Sequence, residues 1–321
     1  MTLTLTRRIL LGTAFVFGLA GAAAADYPDR AITLVIPFAA GGSTDVVGRI
    51  VAERMSADLG QQVVVQNVGG AGGSLGATQV AEADPDGYTI LMGTVATHAL
   101  NPLILKQKPY DPVADFAPVS LLVLVPNVLA VNPELPVQNV QELIDLAKTQ
   151  PLAYASSGNG TPLHLSGELF KAMAGVDITH IPYKGSGPAL TDVLGNQVPI
   201  IFDNLPSASG HITSGKLRAL GVTTAERAPS FPDVPAIAET LPGYETYSWN
   251  ALFAPAGTPP EAVARLNAAA VAAMADPAVV ARMGEFSASI VASSPEELAQ
   301  HVKAEMTKWE PVVTDANVTM D

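Results

Sequence analysis

The stretch AITLVIPFAAGGSTDVVGRI, residues 31–50, decides the fold of this chain. It opens with an apolar run, residues 31–37, that is typical of a strand buried on both faces. A turn of small residues follows at 38–45, and apolar side chains at helical spacing then continue to residue 59. A buried strand that leads through a glycine turn into a helix is the opening unit of a parallel α/β sheet.

The same alternation of strands and helices continues along the chain. We predict further strands at residues 62–67, 88–93, 152–156, 178–182, 198–202, 216–223 and 249–255. Helices are predicted between several of these strands and in a C-terminal tail at residues 261–275, 277–283 and 295–309. This order of elements predicts an α/β fold with parallel strand pairing.

Two apolar segments, residues 121–131 and 249–255, have the pattern of extended chain that crosses from one part of a molecule to another. A chain that leaves one domain and later returns to it produces two lobes joined by a hinge. We therefore predict a first lobe of residues 26–126 plus 250–321 and a second lobe of residues 127–249. A small ligand would bind in the cleft between them, near the carboxyl ends of the strands.

The first 25 residues have the pattern of a cleavable signal peptide. Arg7 and Arg8 precede an apolar run at residues 9–20, and small residues lead to a predicted cleavage site after Ala25. The run is shorter than the roughly 20 apolar residues that a membrane-spanning helix needs. The arginine pair leaves export by the Sec or the Tat route open. We therefore expect the mature protein in the periplasm.

The composition excludes several classes of partner and cofactor. The chain has 321 residues, a formal net charge of −13 and no cysteine. It contains no basic cluster, so nucleic acid is not an expected partner. Without cysteine or a paired-histidine motif, the sequence predicts no metal site, and we expect no cofactor. Hydrophobic residues make up 48% of the chain, which is enough for well-packed cores.

Two turns carry the candidate binding chemistry. In each, a strand ends, glycines follow and a hydroxyl side chain opens a helix, which is Ser43 or Thr44 in the first turn and Thr161 in the second. Pro162 suits the first position of the second helix. Helix N-termini present free N–H groups and a positive dipole end, which bind carboxylate or phosphate. Neither turn contains Arg or Lys, so we predict that backbone groups hold an anion.

Seven segments resemble the Bug family, the binding component of tripartite tricarboxylate transporters. They are YPDRAITLVIPFAAGGSTDVVGR (27–49), ADPDGYTILMGT (83–94), PYDPVADFAPVS (109–120), YASSGNGTPLHLSGELF (154–170), HIPYKGSGPALTDVLGNQVPIIFDN (180–204), SFPDVPAIAE (230–239) and LFAPAGTPPEAVARLN (252–267). Two departures occur. Residues 67–73 read NVGGAGG, without the family's Arg and Pro, and Leu105 stands where the family has Tyr.

The resemblance implies a type II periplasmic-binding-protein fold, a Venus flytrap with two α/β lobes. Each lobe would be a mixed, mostly parallel sheet flanked by helices. The family binds small organic carboxylates, so a di- or tricarboxylate, an amino acid or an aromatic acid is the implied ligand. The large and small membrane subunits of a tripartite transporter are the implied protein partners, and we expect the binding protein itself to be a monomer.

The expected ligand-binding residues come from the two turns, the segment after the third strand, the turn that adjoins the second site and one acidic position. They are Phe38, Ala39, Ala40, Gly41, Gly42, Ser43, Thr44, Asp45, Thr97, His98, Ser156, Ser157, Gly158, Asn159, Gly160, Thr161, His164, Tyr183, Lys184, Gly185, Ser186 and Asp203. Purely structural roles are the alternative for five of them. These are Asp45, His98, His164, Lys184 and Asp203.

Two other functions compete with solute uptake. A binding protein of this kind could present its ligand to a membrane sensor kinase instead of a transporter. Ser156, Ser157, His164 and Asp203 are residue types that a secreted hydrolase would use. A G-x-S-x-G pattern occurs at residues 72–76, but it lies in a glycine loop rather than directly after a predicted strand, and it does not include Ser156 or Ser157. We therefore expect a binding protein with no catalytic residues.

Overall fold

The structure is a computed structural model that describes residues 27–315, so the predicted signal peptide lies outside the described residues. Its strands are β1 Ile32–Ile36, β2 Val63–Asn67, β3 Thr89–Thr94, β4 Phe116–Val131, β5 Leu152–Ser156, β6 Ile178–Pro182, β7 Ile200–Asn204, β8 Arg218–Val222, β9 Tyr247–Pro255 and β10 Ser289–Ile290. Its α-helices are α1 Ser43–Leu59, α2 Ser74–Ala81, α3 Asn101–Ile104, α4 Val140–Ala147, α5 Pro162–Ala174, α6 Ser186–Leu194, α7 Leu205–Thr213, α8 Pro260–Ala275, α9 Pro277–Glu285 and α10 Pro295–Asp315.

The first lobe is built on a mixed sheet with the strand order β2–β1–β3–β9–β4. Strand β1 runs parallel to β2 and β3, whereas β9 is antiparallel to β3 and β4. Leu34 and Ile36 of β1 point into a core shared with α1 and α8, while Val35 points into a second core shared with α10. Both faces of β1 are therefore buried, which explains its continuous apolar sequence.

The second lobe has the strand order β4–β7–β5–β6, and β8 pairs with β4 as well. Strand β5 is parallel to β6 and β7, and β4 is antiparallel to β7. The large aromatic residues Tyr154, Phe170 and Phe202 fill its core, packed by α4 and α5. The fold is the predicted α/β class, with two lobes whose sheets are mixed rather than purely parallel.

Strand β4 belongs to both lobes. Its first part pairs with β9 as far as Pro126, which lies opposite Tyr247. From Asn127 onward it pairs with β7 and β8 of the second lobe. The strand runs through Pro126 without a break. Proline lacks an N–H group and is tolerated here because the ladder changes partners at this position.

Helix α7 and the helical turn after β3 were not predicted from the sequence. The sequence LPSASGHIT of α7 has apolar residues at Leu205, Ala208 and Ile212 but is otherwise rich in weak helix formers, and it was not among the predicted helices. It is helical because it packs against α1, β4 and β7, and tertiary packing outweighs propensity. After β3, the chain forms a wide helical turn at Ala96–Leu100, for which the sequence carried no prediction.

Candidate functional site

A cavity lies between the lobes, just beyond the carboxyl ends of β1, β5 and β7. Its empty space is about 430 Å³ when the solvent at its mouth is counted, but the centre of a water-sized sphere can reach only about 30 Å³ of it. The lining residues come from both lobes and are uncharged. They are Phe38, Gly42, Ser43, Thr44, Thr94, Ser157, Thr161, Pro162, Leu163, Ser186, Asn204, Ser248, Trp249 and Asn250.

The N-terminal ends of four helices meet at this cavity. Helix α1 contributes residues 42–44, α5 residues 161–163, α6 Ser186 and α7 Asn204. Each helix N-terminus carries a partial positive charge of roughly half an elementary charge, together with N–H groups that have no acceptor inside the helix. The cavity is therefore suited to an anion although the protein has a net charge of −13.

The first turn has a different cap from the predicted one. Helix α1 begins at Ser43 with Gly42 at the N-cap, and no side chain caps it. Neither Ser43 nor Thr44 therefore serves as the cap, because both already lie in the first helical turn. Gly41 N–H donates to Asp45 Oδ2 at 3.0 Å, so Asp45 orders the turn. The hydroxyl groups of Ser43 and Thr44 consequently remain available at the cavity wall.

The second turn has the predicted cap, because Thr161 Oγ1 accepts the N–H of His164. Two backbone donors that we expected to face an anion are used inside the turn itself. Gly158 N–H donates to Ser156 Oγ at 3.1 Å, and Gly160 N–H donates to His164 Nδ1 at 3.2 Å. The positive end of α5 and the side chains at the cavity surface therefore carry more of the binding than these two glycine amides.

Two stacked imidazoles support the second turn from behind. The rings of His164 and His180 lie 4.1 Å apart at 14°, and His180 Nε2 is 2.7 Å from Ser156 Oγ. Burial, together with the smaller effects of His164 and Lys171, lowers the pKa of His180 to about 3. Burial also lowers the pKa of His164. Both rings are therefore neutral at neutral pH, as His164 must be to accept the Gly160 N–H.

Asp203 lies behind the cavity wall rather than at its surface. Its carboxylate is fully buried, and Ser186 and Ser207 each donate a hydroxyl hydrogen bond to one of its oxygens. Burial raises the pKa of Asp203 to about 6, against the opposing effect of the two serine hydrogen bonds. Of this group, Ser186 is the residue that reaches the cavity, and Asp203 fixes its orientation.

Several other predicted residues lie outside the cavity lining. Asp45 bonds Arg49 and the amide of Asn67. Tyr183 donates its hydroxyl to Asp192 at 2.6 Å. These contacts give Asp45 and Tyr183 structural roles in the loops around the cleft.

Thr97 and His98 belong to the core of the first lobe. Thr97 Oγ1 accepts the N–H of Thr94 and lies 2.9 Å from His98 Nδ1. The His98 ring is fully buried and stacks on Phe253 with ring centres 3.7 Å apart. Burial lowers the pKa of His98 to about 3. Both residues therefore stabilise the wide turn after β3 instead of contacting a ligand.

Backbone contacts join the lobes at the rim of the cleft. Ala39 N–H of the first lobe donates to the Lys184 carbonyl oxygen of the second at 3.0 Å. The Lys184 side chain itself is exposed. A Cβ placed on Gly185 would lie 2.9 Å from the Ala39 nitrogen, and one on Gly69 would lie 2.8 Å from the Lys184 oxygen. These glycines permit an approach that a methyl group would obstruct.

Two further glycines face the opposite lobe. A Cβ on Gly187 would lie 2.1 Å from the Ala40 carbonyl oxygen, and one on Gly72 would lie 2.5 Å from the Asn159 carbonyl oxygen. Both distances are far below van der Waals contact. The predicted residues Ala39, Ala40, Asn159 and Gly185 thus form the contact between the lobes, outside the cavity lining.

Five polar or aromatic residues of the wall were not expected from the sequence. Thr94 lies opposite Asn250 in the β3–β9 pair, and Asn250 Nδ2 donates to Thr44 Oγ1 at 3.3 Å. Asn204 Nδ2 donates to Ser248 Oγ at 2.9 Å across the lobe junction. Trp249 also lines the cavity. The polar Asn and Ser within otherwise apolar β7 and β9 were the available signal.

Comparison with known proteins agrees with this architecture. The structure of the periplasmic binding protein BugD has a TM-score of 0.89 and 38% identity, and the match covers 92% of this chain and all of that one. A protein from R. palustris with adipate has a TM-score of 0.88 and 41% identity, covering 92% and 99%. MatC from Rhodopseudomonas palustris with bound malate has a TM-score of 0.85 and 36% identity, covering 89% and 100%.

The two lobes and the cavity between them define a periplasmic solute-binding protein, which is a binding protein and not an enzyme. Residues 47–318 match the family of tripartite tricarboxylate transporter family receptors. The chain therefore belongs to this family, and a periplasmic location follows from it.

Proposed function

We propose that this protein captures a small organic carboxylate in the periplasm and delivers it to the membrane subunits of a tripartite tricarboxylate-type transporter. The observation that carries the proposal is the convergence of four helix N-termini on a cavity with no charged lining residue. A carboxylate gains from the positive helix ends and from unpaired N–H groups. The same cavity offers no side-chain countercharge to a ligand ammonium, so an isolated cation would be bound poorly.

The related structures support a small, negatively charged carboxylate as the ligand. Adipate and malate, which accompany two of the similar proteins, are both small dicarboxylates. The hydroxyl and amide side chains at the wall, such as Thr94, Asn204 and Asn250, supply neutral hydrogen-bonding partners for the rest of a ligand. Family membership supports the transporter subunits as the partner that receives it.

The lobe boundaries and the mature form are part of the same proposal. We assign residues 26–126 plus 250–321 to the first lobe and 127–249 to the second, because β4 changes its pairing partners between Pro126 and Asn127. The mature protein is a monomer that begins at or near Asp26, after Sec or Tat export. N-terminal sequencing of the periplasmic protein checks the start, and finding Met1 on a membrane-bound form would contradict it.

A thermal-shift panel of mono-, di- and tricarboxylates, amino acids and aromatic acids tests the proposed ligand class. An acid at 100 times its dissociation constant should stabilise the native protein by about 2.7 kcal/mol, which is visible as a higher melting temperature. Neutral sugars and polyamines are the controls and should produce no shift. A panel in which no carboxylate raises the melting temperature, or in which a control does so instead, would contradict the proposal.

A further inference from the structure

Ser186 is the cavity residue whose hydrogen-bonding role is most narrowly fixed. It is the first residue of α6, lines the cavity and is only 4% exposed. Its hydroxyl donates to Asp203 Oδ1, and Ser207 Oγ donates to Asp203 Oδ2 at 2.7 Å. Both oxygens of the buried carboxylate are therefore occupied by serine donors.

A count of hydrogens determines what Ser186 can offer to a ligand. A serine hydroxyl has one hydrogen and two lone pairs, and an ionised carboxylate can only accept. Since the hydrogen of Ser186 points to Asp203, only its lone pairs face the cavity. The Ser186 hydroxyl can therefore accept a hydrogen bond from a ligand, but it cannot donate one.

The surroundings of Asp203 keep this arrangement in place at neutral pH. The Asp203 carboxyl interacts with the hydroxyls of Ser186 and Ser207 and with the Asn204 backbone, and among the described residues no charged side chain acts on it. The pKa of Asp203, raised by burial to about 6, still leaves the carboxyl mostly ionised at pH 7.5. Asp203 thus acts as a positioning residue for Ser186.

The opposite wall of the cavity, at the first turn of α1, offers hydrogen-bond donors, unlike the Ser186 hydroxyl. The first turn of α1 supplies N–H groups and the hydroxyls of Ser43 and Thr44, which suit a ligand that accepts hydrogen bonds. The two walls are close, because a Cβ placed on Gly42 would lie 3.3 Å from the Ser186 Cβ. A ligand that satisfies both walls has a carboxylate with a hydrogen-bond donor nearby on the same carbon skeleton.

We propose that Ser186, oriented by Asp203, is a specificity-determining residue that selects carboxylates with a hydroxyl or amino group next to the carboxylate. This inference rests on the proposed function, because it assumes that the cavity holds a carboxylate. A plain dicarboxylate of the same length leaves the buried Ser186 lone pairs without a donor, which weakens its binding.

Calorimetric titration at pH 7.5 with matched acids tests the inference. The pairs are L-malate with succinate, L-glutamate with glutarate, and 2-hydroxyadipate with adipate. For the pair that fits the cavity best, the wild type should bind the donor-bearing acid about tenfold more tightly, which is the effect of one good hydrogen bond. In Ser186→Ala this ratio of dissociation constants should fall to about one, because alanine has no oxygen for the donor to reach.

Two further variants separate selection from general damage. Asp203→Asn should lower the same ratio, because its amide can donate to Ser186 and release the serine hydrogen toward the cavity. Ser214→Ala is the control: it removes an exposed serine hydroxyl that lies outside the cavity lining and donates to the Gly210 carbonyl oxygen, so it should leave the ratio unchanged. Melting curves identify any variant that fails to fold, and Asp203→Asn still tests the inference if Ser186→Ala does not fold.

The outcomes distinguish this inference from the proposed function. A wild type that binds the donor-free acids as tightly as their partners overturns the selection by Ser186 but leaves carboxylate capture intact. A ratio that survives Ser186→Ala also overturns it, and a ratio that changes with Ser186→Ala but survives Asp203→Asn overturns the positioning role. If none of the six acids binds, the selection is overturned, and the wider panel then decides whether carboxylate capture itself stands.

Discussion

The side chain and the backbone of Lys184 have different surroundings. Its ammonium group is exposed and lies outside the cavity lining, whereas its carbonyl oxygen accepts the Ala39 N–H across the cleft. Gly41 and Gly160 have the opposite character, since they have no side chain and occupy left-handed conformations with φ values of +83° and +68°. If helix ends and backbone groups hold the ligand, these glycines matter more than the nearby cation.

The first prediction compares the lysine with the two glycines. Lys184→Ala should change the free energy of carboxylate binding by only ~0–1 kcal/mol, the range of a surface charge. Gly41→Val and Gly160→Val should weaken binding at least about tenfold, because valine is strained at positive φ and the turns must rearrange. Calorimetric titration measures all three. If Lys184→Ala abolished binding while both valine variants bound normally, a side-chain salt bridge would replace the backbone mechanism.

Among the elements, the wide turn at Ala96–Leu100 places an ionisable ring in a core. His98 is fully buried, stacked on Phe253, and has a pKa lowered by burial to about 3. An unfolded chain protonates this histidine near pH 6.5, whereas the folded chain does not. Because the folded pKa is lowered, the stability that neutral His98 contributes is complete above pH 6.5 and is lost as the pH falls toward 3.

The second prediction follows from the lowered pKa of His98 in the folded protein. Between pH 7.5 and 5.0, His98→Phe should lose about 2 kcal/mol less free energy of unfolding than the wild type, since phenylalanine keeps the stack but does not titrate. Urea unfolding at the two pH values measures the difference. His211→Asn is the control, because His211 is only partly buried and should change the pH dependence much less. Equal losses in His98→Phe and the wild type would show that another group dominates.

The elements also show how far sequence reasoning reaches. Apolar runs such as the one in β1 predicted most strands, because burial on both faces leaves a clear local pattern. Helix α7 was not predicted, since it is stabilised by packing against α1 rather than by the intrinsic helix propensity of its residues. The cavity-wall residues Thr94, Asn204 and Asn250 were not predicted as ligand-binding residues for a related reason. They meet only through strand pairings that join distant parts of the chain.

In the whole molecule, the two lobes meet through backbone atoms at glycines. Gly187 lies against the Ala40 carbonyl and Gly69 against the Lys184 carbonyl, each with no room for a methyl group. These contacts exist only when the lobes are together, so they favour the same arrangement that encloses the ligand. Ligand binding then shifts the population toward the closed arrangement by its differential affinity for that state.

The third prediction tests this contact with single methyl groups. Gly187→Ala and Gly69→Ala should each weaken carboxylate binding at least about tenfold, because the added Cβ must push the lobes apart before the cavity can close. Small-angle scattering of either variant at saturating ligand should give a larger radius of gyration than the liganded wild type. The melting temperature of Gly187→Ala without ligand should change little, since an open arrangement accommodates its methyl group. That of Gly69→Ala should fall, because its Cβ would also lie 2.9 Å from the Ala39 nitrogen of the same lobe.

Gly210→Ala is the matched control for this prediction. Gly210 lies in a helix, as Gly187 does, but a Cβ there would meet no atom within 4 Å. Its affinity and scattering profile should equal those of the wild type. If Gly187→Ala and Gly69→Ala have the same affinity and the same liganded radius of gyration as Gly210→Ala, the contact between the lobes does not limit closure and the prediction is wrong.

The glycine contact between the lobes has a consequence for how such a protein can be retuned. Gly187 lies outside the cavity lining, so a change there should multiply the dissociation constant of every ligand by one common factor. The preference among ligands is set separately by the cavity wall. The ligand concentration at which the protein becomes half-saturated can therefore be changed by adding a single methyl group at the lobe contact. The preference among solutes stays constant. Sensors with graded working ranges could be built from this chain on that basis.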